Sequence, residues 1–109
     1  MKKHNSRYTT DDYRWKKILW MYHLTRAQFE ALLKKQGGRC AICRTKRPGG
    51  RYNRWVIDHD HKCCDGPYSC GKCVRGLLCN RCNHGLGNFA DNQKALQRAV
   101  IYLERIEHE

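Results

Sequence analysis

Eight cysteines in 109 residues constrain this chain more than any other feature. A chain of this length fits one domain and buries only about 60–65% of its unfolded surface, so its core is thin. A thin core with many cysteines needs staples, supplied by disulfides or by metal. Six of the cysteines form three C-x-x-C knuckles: Cys40/Cys43, Cys70/Cys73 and Cys79/Cys82. The other two, Cys63 and Cys64, are adjacent. The start, Met1-Lys2-Lys3-His4-Asn5, has no apolar stretch behind its charges of the kind that marks a secretory signal. No run approaches transmembrane length. A reducing intracellular compartment is therefore expected, and it favours thiolate–metal ligation over disulfides.

Two knuckles supply the four soft ligands that tetrahedral zinc takes, at about 2.3 Å each. Cys40, Cys43, Cys79 and Cys82 are expected to form a closed, structural zinc site that ties together the ends of an insertion. Cys63, Cys64, Cys70 and Cys73 leave alternatives open: a second zinc, a local disulfide or free thiols. Spacing alone also permits Cys40/Cys43 to pair with Cys70/Cys73.

The formal net charge is +12, from 22 Lys/Arg against 10 Asp/Glu. Residues 1–39 carry +7 and residues 40–90 carry +6, whereas residues 91–109 carry −1. Each four-thiolate zinc centre removes two units, so even two centres leave about +8. Such a balance points to a polyanionic partner, because phosphate neutralisation releases counterions.

The pattern predicts an α+β fold in a single domain, 1–109. Residues 1–9 read as a disordered basic arm and 10–39 as a helical N-terminal part. Residues 40–90 read as a zinc-bound core, and 91–109 as a C-terminal helix. The first helix starts at Thr10-Asp11-Asp12, with acids in its first turn. Its Trp15, Ile18, Leu19 and Tyr22 are expected to pack the core, leaving Arg14, Lys16 and Lys17 for phosphates. Thr25 and Gln28 fit a capping box, Leu24 and Phe29 a hydrophobic staple, and Gly37-Gly38 ends the second helix. Trp55-Val56-Ile57, ending at Asp58, and Val74–Leu78 are candidate strands, followed by a short helix near Cys79. From Asp91 to Glu107, Ala95, Leu96, Ala99, Val100, Leu103 and Ile106 keep helical spacing, and packing is their expected role.

Asp58-His59-Asp60-His61 follows the first apolar strand. Adjacent strand residues point to opposite faces, so the strand must end or bend there. Asp58 and the Asn83 amide are oxygen donors suited to Mg²⁺. A histidine ordinarily titrates near about 6.5, which makes His59 a candidate general base. Lys62, Arg75 and Arg81 lie close in sequence and would hold phosphates. Two other readings of the string stand beside this one: His59 or His61 replacing a cysteine on zinc, or a polar turn.

GGRCAIC (37–43), VIDHDH (56–61) and VRGLLCNRCNHGLG (74–87), in this order, resemble the recombination endonuclease VII family of phages. The resemblance implies a ββα-metal (His-Me finger, HNH-like) nuclease core with zinc on Cys40, Cys43, Cys79 and Cys82. It also implies Mg²⁺, or Mn²⁺ in its place, on Asp58 and Asn83, a general base at His59 and a phosphate contact at His61. The implied activity is hydrolysis of DNA phosphodiesters, duplex or branched, leaving 5′-phosphate and 3′-hydroxyl ends. The setting would be the host cytoplasm, for a phage or mobile element. The Cys63–Cys73 insert departs from the family. So does the end at Glu109, short of the region through which junction-resolving members dimerise. A monomer that nicks one strand is expected, with the C-terminal helix as the surface for any dimer. The competing classes are a non-catalytic zinc-ribbon module that binds nucleic acid and a cross-braced protein-interaction module.

Overall fold

A computed structural model describes residues 10–106. The basic arm, 1–9, lies outside the described residues. The order is α1 (Thr10–Tyr22), α2 (Arg26–Lys35), β1 (Val56–His59), β2 (Val74–Leu78), α3 (Asn80–Asn88) and α4 (Gln93–Glu104).

Local chemistry sets most of these boundaries. The Gln28 N–H donates to Thr25 Oγ1 at 3.1 Å, and the Thr25 N–H donates to Gln28 Oε1 at 2.8 Å, completing the capping box of α2. At its other end Gly37 adopts φ +74°, which costs glycine nothing. There the N–H groups of Gly37 and Gly38 satisfy the carbonyls of Lys34 and Leu33, a Schellman end.

β1 and β2 form a two-stranded antiparallel hairpin with Ile57 opposite Leu77 and Val56 opposite Leu78. Successive residues face opposite ways, so the hairpin separates two layers. Ile57 and Leu77 join Leu24 and Phe29 in a buried cluster, covered by Trp15, Ile18, Tyr22, Leu32 and Leu33 from α1 and α2. Leu78 faces the other way, into a cluster with Cys40 and Cys79 that Cys82 and Leu86 of α3 cover. Trp55 packs against both clusters. The edge of β2 is closed by the Gln36 side chain together with the Ala41 N–H, which donates to the Leu77 carbonyl at 3.1 Å. Gln36 Oε1 accepts from the Leu77 N–H at 2.9 Å, and its Nε2 donates to the Leu77 carbonyl at 3.0 Å. Gly76 makes room for this amide, since a Cβ there would lie 3.1 Å from Gln36 Oε1.

Several expectations need correction. β1 runs through Asp58 to His59 rather than ending at Asp58, and the bend appears as a β-bulge. Leu19 is exposed, while Trp15, Ile18 and Tyr22 of the same helix pack the core as expected. α4 begins after Asn92, not at Asp91, because the Asn92 side chain caps it by accepting the Ala95 N–H at 2.9 Å. Ala90 and Asp91 have positive φ and lie outside it. Val100, Leu103 and Ile106 are exposed rather than packed, and Ile106 lies beyond the helix, which ends at Glu104.

Candidate active site and metal centres

The cysteines sort into two sets: Cys40, Cys43, Cys79 and Cys82, and Cys63, Cys64, Cys70 and Cys73. Within each set the sulfurs lie within 4.8 Å of one another. A tetrahedron with bonds of about 2.3 Å has sulfur–sulfur edges of about 3.8 Å. Observed separations are 3.6 Å for Cys43–Cys79, 3.8 Å for Cys63–Cys70 and 4.0 Å for Cys70–Cys73. No disulfide joins any of the eight, and Cys40/Cys43 group with Cys79/Cys82 rather than with Cys70/Cys73. His59 and His61 belong to neither set.

The electrostatics of both sets suit a cation. Burial would raise the Cys40 thiol, but the backbone N–H groups of Cys79, Ile42 and Cys43 outweigh it and bring it to about 6. Burial and the neighbouring sulfurs push Cys82 up to about 12. In the second set the Lys72 N–H, with the neighbouring thiols, brings Cys70 down to about 7, while Cys73 and Cys70 push Cys63 up to about 12. A dication would stabilise the thiolate form of all four sulfurs against burial and neighbouring charge. Both four-thiol sets can therefore hold zinc. Cys79 also caps α3, its sulfur accepting the Cys82 N–H at 3.4 Å, so the first site fixes α3 against the hairpin.

The bulge falls between Asp58 and His59. Asp58 pairs with Gly76 and His59 with Val74, which makes Arg75 the extra residue. Asp58 follows the parity of Val56 and faces the α3 layer, where Asn83 also belongs. The bulge turns Arg75 onto Asp58: Nε donates to Oδ2 at 2.7 Å and Nη2 to Oδ1 at 3.2 Å. This fork, with the charge of Asp91 behind it, holds the Arg75 guanidinium above its ordinary pKa.

His59 faces the helical layer and is only 4% exposed. Its Nε2 lies 3.1 Å from the Cys64 carbonyl and 3.0 Å from the Gly66 carbonyl. Carbonyls only accept, so these contacts place a proton on Nε2, and in the neutral ring the lone pair is then on Nδ1. The His59 ring lies 4.3 Å from that of His61. His61 lines a groove of about 770 Å³ with Asp60, Lys62, Arg75, Asp91 and Lys94. Thus His59 meets the groove through His61, and Asp58 meets it through Arg75.

The remaining cations divide. Arg14 stacks on Trp15, 4.6 Å from its ring centre, and burial with Arg54 nearby lowers its pKa. Lys16 and Lys17 are exposed on α1. A hydrogen bond to Cys43 raises the pKa of Arg81, so this side chain attends the first thiol set. Sequence reasoning missed Asp91 and Lys94 as groove residues. It also missed the backbone anchors of His59, since a carbonyl has no residue-type signature.

The sequence matches the recombination endonuclease VII family across residues 15–105, and the chain belongs to that family. It is 41% identical over 90 residues to the Gene 59 protein of Mycobacterium phage D29, covering 82% of this chain and 48% of that protein. Against the Gene 59 protein of Mycobacterium phage L5 it is 39% identical over 88 residues, covering 80% and 48%. The chain spans about half the length of these curated relatives. No solved structure matches it. No helix among the described residues is long and apolar enough to cross a membrane.

Proposed function

We propose that this chain is a metal-dependent endonuclease that hydrolyses DNA phosphodiesters with His59 as general base. The observation that carries the reading is the anchoring of His59. Its Nε2 meets two carbonyls, which holds the imidazole in one orientation and, in the neutral ring, leaves Nδ1 as the nitrogen that would take a proton. Membership of the endonuclease VII family supports the reaction class.

Asp58 and Asn83 supply the oxygen donors that Mg²⁺ takes, and Mn²⁺ accepts the same set. When bound there, the cation would neutralise charge on the scissile phosphate and the leaving oxygen. Arg75 is its rival for Asp58, because the guanidinium already spans both carboxylate oxygens. His61, Lys62, Arg75 and Lys94 give the groove the donors that would hold a phosphodiester backbone. A backbone-directed groove of this kind fits cutting with little sequence preference, on duplex or branched DNA.

The Arg75 fork also favours a second reading, a zinc-ribbon module that binds nucleic acid without cutting it. In that reading the fork satisfies Asp58, and His59 is a hydrogen-bonded core residue. Supercoiled plasmid separates the two. We expect nicked or linear product with Mg²⁺, none with EDTA, and none from a folded, zinc-loaded His59→Ala protein. DNA binding by both proteins without cutting, in Mg²⁺ and Mn²⁺ and on branched substrates, would replace the nuclease with the binding module.

A further inference from the structure

Residues 63–73 form a hairpin insert with no helix or strand, and its four sulfurs are the second thiol set. We propose that this insert binds a second zinc ion and that the zinc-bound loop is a positioning device for His59. The inference rests on the reading of His59 as the base.

Both acceptors of the His59 Nε2–H belong to this loop. Cys64 is one of the four thiols, and Gly66 lies two residues beyond it with φ +86°. The stretch from Cys64 to Cys70 therefore sets where the two carbonyls stand. Burial contributes little to its order: Cys63, Asp65, Pro67, Tyr68 and Cys70 are exposed, and only Ser69 and Cys73 are buried, while the N–H groups of Cys63 and Cys64 donate to the Asp60 carbonyl and the Tyr68 ring meets Trp20 edge-on at 5.4 Å. A loop this short in apolar contacts needs a crosslink to keep one conformation.

The loop is also seated on the body. The Ser69 N–H donates to the Met21 carbonyl at 2.9 Å, and His23 Nδ1 reaches the Ser69 carbonyl at 2.7 Å. Gly71 passes so close to His23 that a Cβ would lie 3.0 Å from its backbone oxygen. At the strand end the Asp60 N–H donates to the Cys73 carbonyl at 2.9 Å. Docking at Ser69, Gly71 and Cys73 locates one end of the loop. A zinc ion on Cys63, Cys64, Cys70 and Cys73 would fix the other end, where the carbonyls face His59. The first site cannot do this, since its four sulfurs come from the opposite layer.

The test is Cys63→Ser/Cys70→Ser, compared with wild type and His59→Ala. Wild type is expected to carry two zinc ions per chain, and the double variant one. Nitrogen-15 spectra of wild-type His59 should show a single Nε2–H tautomer with slowly exchanging proton, and those of the double variant a mixture. In plasmid cutting kcat should fall about 100-fold, with KM changed less than about twofold. Adding His59→Ala to the double variant should then cost less than the same change costs wild type, because both act through one ring. If the double variant fails to fold, two single changes carry the same test. Cys63→His keeps a zinc ligand and should retain two zinc ions, the tautomer and the activity. Gly66→Ala should keep two zinc ions yet disturb the tautomer, because its φ disfavours a side chain. One zinc ion in wild type, an unchanged His59 spectrum after the second zinc is lost, or an effect on KM alone would overturn the proposal. A wild type that does not cut DNA removes the nuclease reading instead, and the zinc count and spectra still decide whether the loop holds the ring.

Discussion

The two four-cysteine sets share a ligand type and nearly a geometry, yet they sit in opposite surroundings. Cys40 and Cys79 are buried with Leu78 and covered by Trp55 and Leu86, so the first set is part of a hydrophobic core. The second set lies on a loop, with Cys63 and Cys70 exposed. A metal in the first site adds to packing that already exists. In the second it would substitute for packing that the loop lacks. The same chemistry therefore supports the fold in one place and the placement of a few backbone atoms in the other.

That contrast can be broken most severely at the first set. Cys40→Ser should remove the cooperative thermal transition altogether. Zinc binding contributes on the order of 10 kcal/mol in small zinc-folded units, comparable to the whole stability of a domain this size. Cys63→Ser, by contrast, should leave the far-ultraviolet helical signal and the transition in place. Equal loss of fold in both variants would erase the distinction.

Next in size is His59→Ala, for which a drop of about 10²–10⁴ in kcat is expected with both zinc ions retained. Loss of zinc from this variant would mean that the ring supports the loop rather than the reverse.

Graded chelation sharpens the comparison further. Followed with a colorimetric zinc indicator, release should come in two phases, the faster from the exposed set, with rates differing by at least about tenfold. A single phase of two equivalents would argue that the sites open together.

The smallest effect belongs to the fork between the layers. Arg75→Ala should cost no more than about 1 kcal/mol in thermal unfolding, since the guanidinium is 44% exposed. It should lower the slope of DNA affinity against salt by about one unit, if Arg75 meets phosphate. An unchanged slope would confine Arg75 to its carboxylate partners.

The sequence was most legible where chemistry is local. Thr25 and Gln28 announce a capping box three residues apart, and Gly37-Gly38 announces the helix end. Trp55-Val56-Ile57 stood out by β-branched and aromatic content, and Cys40/Cys43 with Cys79/Cys82 by ligand type. Features set by distant partners were hidden. The grouping of Cys63, Cys64, Cys70 and Cys73 depends on loop geometry, which spacing does not rank. The Asp58–Arg75 fork joins residues 17 apart through a bulge that no residue type marks. Helical spacing revealed an apolar stripe on α4 but could not say that Leu103 would be 79% exposed, because periodicity names a face and not its occupant.

Gln36 has a consequence beyond its hydrogen bonds. It stands where a third strand would add, offering Leu77 both a donor and an acceptor, and it shares that edge with the Ala41 N–H on the Leu77 carbonyl. The Gln36 amide hangs from the C-cap of α2. Unwinding the last turn of α2 would therefore do more than fray a helix. It would remove the amide that satisfies the Leu77 N–H and expose part of a strand edge, so the C-cap of one helix also protects the rim of the sheet.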